Sequence, residues 1–176
     1  DGYVSFANCG LPYYLGGDIT DREKLLVAKP ALFENRFKIG IKVRHEITRI
    51  IPNEKRIEGI NHESGEPFSD TYDKLILAPG AAPIVPALEG ATADNVFALR
   101  NIEDTDRIKA YIDGKHPGRA IVVGAGFIGL EMVEQFHQVG MAVSLVELAP
   151  QVLAPLDPDM AAIVTEALVA KEVDLH

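Results

Sequence analysis

The sequence predicts an α/β protein with parallel strands of the doubly wound type and a small antiparallel meander. Three observations carry this. Between residues 120 and 147 a short apolar strand, a Gly-rich turn, a helical stretch and a second strand follow one another. Strands and helices alternating on short links lie parallel in one sheet. Upstream, residues 39–73 alternate apolar and polar side chains around turn signals, as antiparallel strands do.

Residues 1–17 are rich in Gly, Pro and Tyr and read as a loop around a short helix. Thr20 and Glu23 have capping-box spacing, which predicts a helix to about Leu32 that Pro30 ends. Ile39, Ile41, Val43 and Ile47 alternate with polar residues, so 39–51 is expected as strand, with a bulge near Arg44–Glu46. Pro52–Glu54 is a turn, and 55–61 and 67–73 flank Ser64–Gly65 as two further strands. Leu75–Ala78 is a continuous apolar run before Pro79–Gly80 and is expected as a buried strand. The Pro-rich stretch 79–90 reads as a boundary.

A helix over Glu103–Ile112, ended by Gly114 and Pro117, comes next. Strand 120–123, turn 124–129, helix 130–139 closed by Gly140, strand 143–147 and helix 158–171 complete the pattern.

Composition bounds the function. The chain has 176 residues, 47% of them hydrophobic, which suffices for a core and excludes disorder. Its net charge of −9 argues against a nucleic-acid surface. No apolar run reaches the length of a membrane span. One cysteine cannot form an intramolecular disulfide or anchor a zinc site, and the five histidines show no metal-ligand spacing, so no metal is expected. The chain opens at Asp1 without methionine and closes on Val173–His176, which reads as a strand just begun. It is therefore expected to be a piece of a longer protein.

Gly124-Ala125-Gly126-Phe127-Ile128-Gly129 fits G-x-G-x-x-G, and Glu147 follows at the end of the next strand. That context is what a dinucleotide fingerprint needs. Gly124 permits the tight turn, Gly126 lets backbone approach a pyrophosphate, and Gly129 lets helix and strand pack closely. The phosphates would meet unpaired helix N–H groups. Glu147 would accept ribose hydroxyls and repel a 2′-phosphate, and no Arg or Lys follows in Leu148–Pro150. NADH is thus expected over NADPH.

Cys9 lies in Ser5-Phe6-Ala7-Asn8-Cys9-Gly10-Leu11-Pro12-Tyr13-Tyr14. A lone cysteine is commonly a small buried hydrophobe. Gly10 would admit a flat ligand, and Pro12 would start a helix whose N-terminus favours a thiolate. From spacing alone both readings stand.

The Cys9 segment, Leu75-Ile76-Leu77-Ala78-Pro79-Gly80-Ala81 and the 124–129 loop together resemble the single-cysteine flavin disulfide reductases. Within that family the chain most resembles coenzyme A-disulfide reductase and the NADH-dependent persulfide reductases. The resemblance covers almost the whole chain and keeps the motif order. It implies a fragment of a two-dinucleotide-domain (Rossmann-like) flavoprotein, with residues 1–98 part of an FAD domain and 99–176 the first half of an NAD domain. The cofactors it implies are FAD and NADH. The partners it implies are a small-molecule disulfide, persulfide or thiol, with coenzyme A as substrate or resting mixed-disulfide partner. A homodimer is implied for the full-length parent, and a free thiolate fits a reducing cytoplasm.

Carried over residue by residue, Cys9 is the redox nucleophile, and Ser5 and Asn8 meet the coenzyme A thiol end and hold the thiolate. Arg36 or Lys38 would meet substrate phosphates, or be solvated charges. Ala78, Pro79 and Gly80 would run beside FAD, and Glu46 and Ile47 lie near its adenine; both segments also fit ordinary strand and turn. Phe127 would gate the flavin. Glu131 would lie near nicotinamide, or be an exposed helix carboxylate. The family's first G-x-G-x-x-G has no counterpart in these residues, so alone they are expected neither to retain FAD nor to turn over. A single cysteine implies a mixed disulfide or a sulfenic acid as the oxidised form. The rival readings are an NADH oxidase or peroxidase and a non-catalytic NADH-binding flavoprotein domain.

Overall fold

The structure is a computed structural model and describes residues 2–176. In chain order its elements are β1 (Ser5–Phe6), α1 (Leu11–Gly16), β2 (Leu26–Ala28), α2 (Pro30–Leu32), β3 (His45–Ile51), β4 (Arg56–Asn61), β5 (Pro67–Thr71), α3 (Ile102–Lys115), β6 (Arg119–Val123), α4 (Phe127–Gln138), β7 (Ala142–Val146), α5 (Pro158–Ala170) and β8 (Asp174–Leu175). The α/β class is as expected. No helix among the described residues is long and apolar enough to cross a membrane.

Packing groups the chain into two compact units. The first holds residues up to 6 together with 26–82, the second holds 7–25 together with 83–176. Packing therefore partitions the chain differently from the expected cofactor division at 98/99, which concerns ligands and returns below as a proposal.

In the first unit β3, β4 and β5 form the antiparallel meander, in that order. Its register slips between Ile47 and Arg49. Gly59 sits in β4 because a Cβ there would lie 2.1 Å from the Glu46 carbonyl oxygen and 2.7 Å from the Phe68 ring. That ring packs edge-on against His45, with centroids 5.1 Å apart.

Three expectations fail in this part of the sequence. The helix predicted over 20–32 is instead a 3-10 turn at Arg22–Leu25, the strand β2 paired with β1, and α2. Asp21, not Thr20, takes the Glu23 amide, and Pro30 opens a helix rather than closing one. The strand predicted from 39 begins only at His45, because Lys38 and Arg44 adopt left-handed conformations (φ 57° and 54°) that break the extended run. Leu75–Ala78 forms no strand. Ile76 and Leu77 are 89% and 67% exposed, because no neighbouring strand pairs with them among the described residues.

In the second unit β6, β7 and β8 form a parallel sheet. Met132 and Val133 of α4 pack with Val122, Val143 and Leu145 of the sheet in one core, joined by Leu15 of α1. Each such side chain contributes about 1.5–3 kcal/mol through burial. α1 seats on α4 where Gly16 meets Gln135. A Cβ at Gly16 would lie 1.7 Å from Gln135 Oε1, an atom that is buried and without a hydrogen-bond partner. Just beyond α1, the Gln138 side-chain amide donates to Asp18 Oδ1 at 2.7 Å.

α3 runs three residues past its expected end, to Lys115, and His116 rather than Gly114 supplies the left-handed cap (φ 48°). α4 begins at Phe127, not Leu130, so the last three motif residues form its first turn. Gly140 ends α4 as expected: at φ +85° it donates to His137, while Met141 donates to Phe136. These two bonds are a Schellman closure. α5 starts at Pro158 behind Asp157, whose carbonyl oxygen, not its side chain, accepts the first amides.

Candidate functional site

The turn between β6 and α4 has the shape its glycines predict. Gly124 sits at φ +103° and its amide donates to Val146 at 2.8 Å, tying the turn to β7. A Cβ at Gly129 would come within 1.9 Å of the Gly124 carbonyl oxygen, so this glycine permits helix and loop to touch. A Cβ at Gly126 would meet nothing within 4 Å, so this face of the loop is open. The amides of Phe127, Ile128 and Gly129 begin α4, where intrahelical partners are lacking, and no acid occupies the first turn. The loop thus fits a dinucleotide pyrophosphate by both shape and charge. Phe127 and Ile128 are exposed, and Glu131 stands one turn further on.

Glu147 does more than the sequence suggests. Its Oε2 accepts from the Ala125 amide at 2.5 Å, inside the glycine loop, and its Oε1 accepts from Ala149 at 2.8 Å. The Ala149 amide first, then Ala125, holds its carboxyl below the usual glutamate range, against a smaller opposing effect of burial. A carboxylate has about four lone-pair sites, so ribose hydroxyls can still be accepted. Because the folded value is depressed, this contribution to stability is present above the ordinary glutamate value and lost as pH falls through the depressed one. Glu147→Gln is therefore expected to melt below the unsubstituted protein at neutral pH, and the gap to close below about pH 4. Thermal melts across that range test this; a gap independent of pH would sink it.

Cys9 is exposed, in the middle of a 3-10 turn, Asn8–Gly10, that leads directly into α1. Gly10, Leu11 and Pro12 are buried, so the C-terminal side of the turn is anchored while Cys9 itself is exposed. The reading of Cys9 as a buried hydrophobe is corrected by this exposure. The Asn8 side-chain oxygen accepts from Arg100 Nη1 at 3.3 Å. Tyr13, one turn into α1, has its hydroxyl raised above the usual tyrosine range, by the charge of Glu131 first, then by burial, Glu134, Asp18 and Cys9. The second unit thus brings Cys9, Tyr13 and Glu131 into one electrostatic neighbourhood. Sequence reasoning missed Tyr13 and Arg100. Tyr13 carried a signal in its i+4 spacing from Cys9; Arg100 carried none, since its partner lies 92 residues away.

The first unit holds a separate cavity of about 980 Å³. It brings together Glu46, Ile47, Ala78 and Pro79 from two segments distant in sequence, along with Arg49 and His62. His62 Nε2 lies 2.8 Å from Glu46 Oε2. Gly80 follows at φ +73°. Ser5 belongs to β1 of this unit. Arg36 and Lys38 are exposed there, with the Arg36 guanidinium 5.4 Å from the centre of the Phe37 ring. No group of three or more His, Cys, Asp or Glu side chains is placed to hold a metal among the described residues.

The family described as pyridine nucleotide-disulphide oxidoreductase matches residues 1–176. The chain belongs to this family. Coenzyme A disulfide reductase from Staphylococcus haemolyticus is 37% identical over 170 residues, which are 97% of this chain and 38% of that protein. The crystal structure of reduced Bacillus anthracis CoADR-RHD superposes with a TM-score of 0.93 at 51% identity, over 98% of this chain and 31% of that one. The NAD-dependent persulfide reductase from A. fulgidus gives a TM-score of 0.91 at 32% identity, over 99% of this chain and 33% of that one. The chain thus spans about a third of the length of these oxidoreductases.

Proposed function

We propose that the intact protein is an FAD-dependent NADH:disulfide oxidoreductase that reduces coenzyme A disulfide or a persulfide through Cys9. The observation that carries this reading is an exposed cysteine on a turn anchored to α1, which packs against the helix of the dinucleotide loop. The names of the similar proteins support the substrate class.

Residues 99–176 then belong to the NAD side. The amides at the start of α4 receive the pyrophosphate, Gly126 allows its approach and Glu147 takes the ribose hydroxyls. Phe127 gates the flavin, and Glu131 lies near the nicotinamide. Residues 1–98 belong to the FAD side, with Glu46, Ile47, Ala78, Pro79 and Gly80 along the cofactor. FAD, when bound, would supply the relay by which the electron pair of NADH reaches the Cys9 sulfur. Ser5 and Asn8 hold the thiol end of the substrate, and Arg36 or Lys38 meets its phosphates.

In the thiol step, the Cys9 thiolate attacks one sulfur of the substrate disulfide. The Cys9–S bond forms, the substrate S–S bond breaks, and one thiolate leaves and takes a proton. Two electrons from NADH then cleave the mixed disulfide, restoring the Cys9 thiolate and releasing the second thiol. The sum is one disulfide, one NADH and one proton giving two thiols and NAD⁺. A cytoplasmic homodimer is the proposed setting, because a free thiolate persists in a reducing compartment.

The deciding experiment is the intact mass of the protein purified without reductant, before and after adding a thiol. A coenzyme A adduct on Cys9 that the thiol removes is the expected result. Oxygen additions alone would favour the oxidase or peroxidase reading, with Cys9 cycling through sulfenic acid. An unmodified Cys9 that resists both would overturn the redox role.

A further inference from the structure

Cys9 is exposed, but the backbone on either side of it rests on Leu25. The Gly10 amide donates to the Ala7 carbonyl oxygen at 2.9 Å and so closes the turn that carries Cys9. The Ala7 amide donates in turn to the Leu25 carbonyl oxygen at 2.8 Å. On the other flank, a Cβ at Gly10 would lie 3.0 Å from Leu25 Cδ2, so Gly10 sits directly on that side chain. Leu25 is fully buried. It ends the 3-10 turn Arg22–Leu25, whose first residue reaches α3. Arg22 Nε donates to Asp106 Oδ1 at 2.7 Å and Nη2 to Asp106 Oδ2 at 2.6 Å. Such a two-point pairing fixes orientation as well as distance. α3 is a firm post for it, because Ile102 and Thr105 are fully buried and the Asn101–Asp104 capping box locks its start.

We propose that Arg22 and Asp106 are positioning residues for Cys9: their pairing pins the Arg22–Leu25 turn to α3, and Leu25 then sets where the Ala7–Gly10 backbone presents the cysteine. This deepens the reading of Cys9 as the redox nucleophile and rests on it. A pair this open to solvent, with side chains 30% and 40% exposed, adds little to overall stability. Its geometry matters more. A sulfur that attacks a disulfide must align with the bond it breaks, and a misplacement of about 1 Å can cost about a hundredfold in rate. The pair therefore acts on turnover rather than on folding.

The test takes two readings from the intact protein. Amide hydrogen exchange at Ala7 and Gly10 reports the turn without reference to any reaction. Steady-state reduction of coenzyme A disulfide by NADH reports the sulfur. Arg22→Ala and Asp106→Ala are each expected to speed exchange at those two amides about tenfold while leaving exchange across α4 unchanged. Each is expected to lower kcat for the disulfide about tenfold, with KM for NADH unchanged. The double variant is expected to lose no more than either single one, because the two side chains act as a unit. Should Arg22→Ala fail to fold, Asp106→Ala decides. Unchanged exchange at Ala7 and Gly10 would overturn the proposal, and so would faster exchange with an unchanged kcat. Additive losses in the double variant, or exchange that rises equally across α4, would also overturn it, since the pair would then serve only the fold. Failure of the underlying redox reading shows separately, as disulfide turnover that survives Cys9→Ser while the exchange results stand as expected.

Discussion

Cys9→Ser in the intact protein is expected to lower NADH-dependent disulfide reduction by at least about a thousandfold, the scale on which a reaction loses its only nucleophile. NADH affinity is expected to stay unchanged, because the dinucleotide loop lies on another element. The sulfur is exposed and its neighbours Gly10 and Leu11 carry the packing, so the variant should melt within a degree or two of its parent. Steady-state kinetics with coenzyme A disulfide, an NADH titration and a thermal melt measure the three quantities. Turnover that survives the substitution would overturn the role of Cys9 as the redox nucleophile. Equal losses in turnover and NADH affinity would mean that the change had disturbed the fold rather than the chemistry.

A second large effect separates two glycines that the motif treats alike. Gly129→Ala would place a methyl group 1.9 Å from the Gly124 oxygen and 3.1 Å from its carbonyl carbon. Backbone cannot yield as a side-chain tip can, so α4 must lift off the loop. A loss of about 3 kcal/mol or more is expected, together with NADH binding. Gly126→Ala meets open space, and its backbone (φ −78°, ψ −176°) suits any residue. It should fold like the parent yet bind NADH about tenfold more weakly, because the methyl group occupies the path of the pyrophosphate. Melts and NADH titrations of the pair test this. Equal destabilisation by both substitutions would show that the loop does not have this geometry.

What could be read from the chain was local. The βαβ unit announced itself because its strand, glycine turn, helix and acidic residue are consecutive. The β3–β4–β5 meander did so because Ser64–Gly65 and Pro52–Glu54 mark its turns. Where a competing local signal existed, the reading failed. Thr20 and Glu23 had capping spacing, but the Asp21 carboxylate captured the Glu23 amide, and pairing with β1 drew Leu26–Ala28 into a strand. Leu75–Ala78 shows another limit: an apolar run states a preference for burial, yet pairing needs a partner strand that the run does not encode. Within the site, Cys9 and the glycines were legible because each belongs to a spaced motif. The meeting of Arg100 with Asn8 was not, since tertiary folding alone joins residues that far apart.

The Glu147 carboxylate bridges the Ala125 and Ala149 amides, two bonds the chain makes with its own backbone. Ordering this loop is thus a cost met in folding, and a dinucleotide bound there as proposed would add little ordering of its own. Affinity at this site should accordingly be governed by how fast the coenzyme escapes, and small differences between dinucleotides should be expressed as differences in residence time.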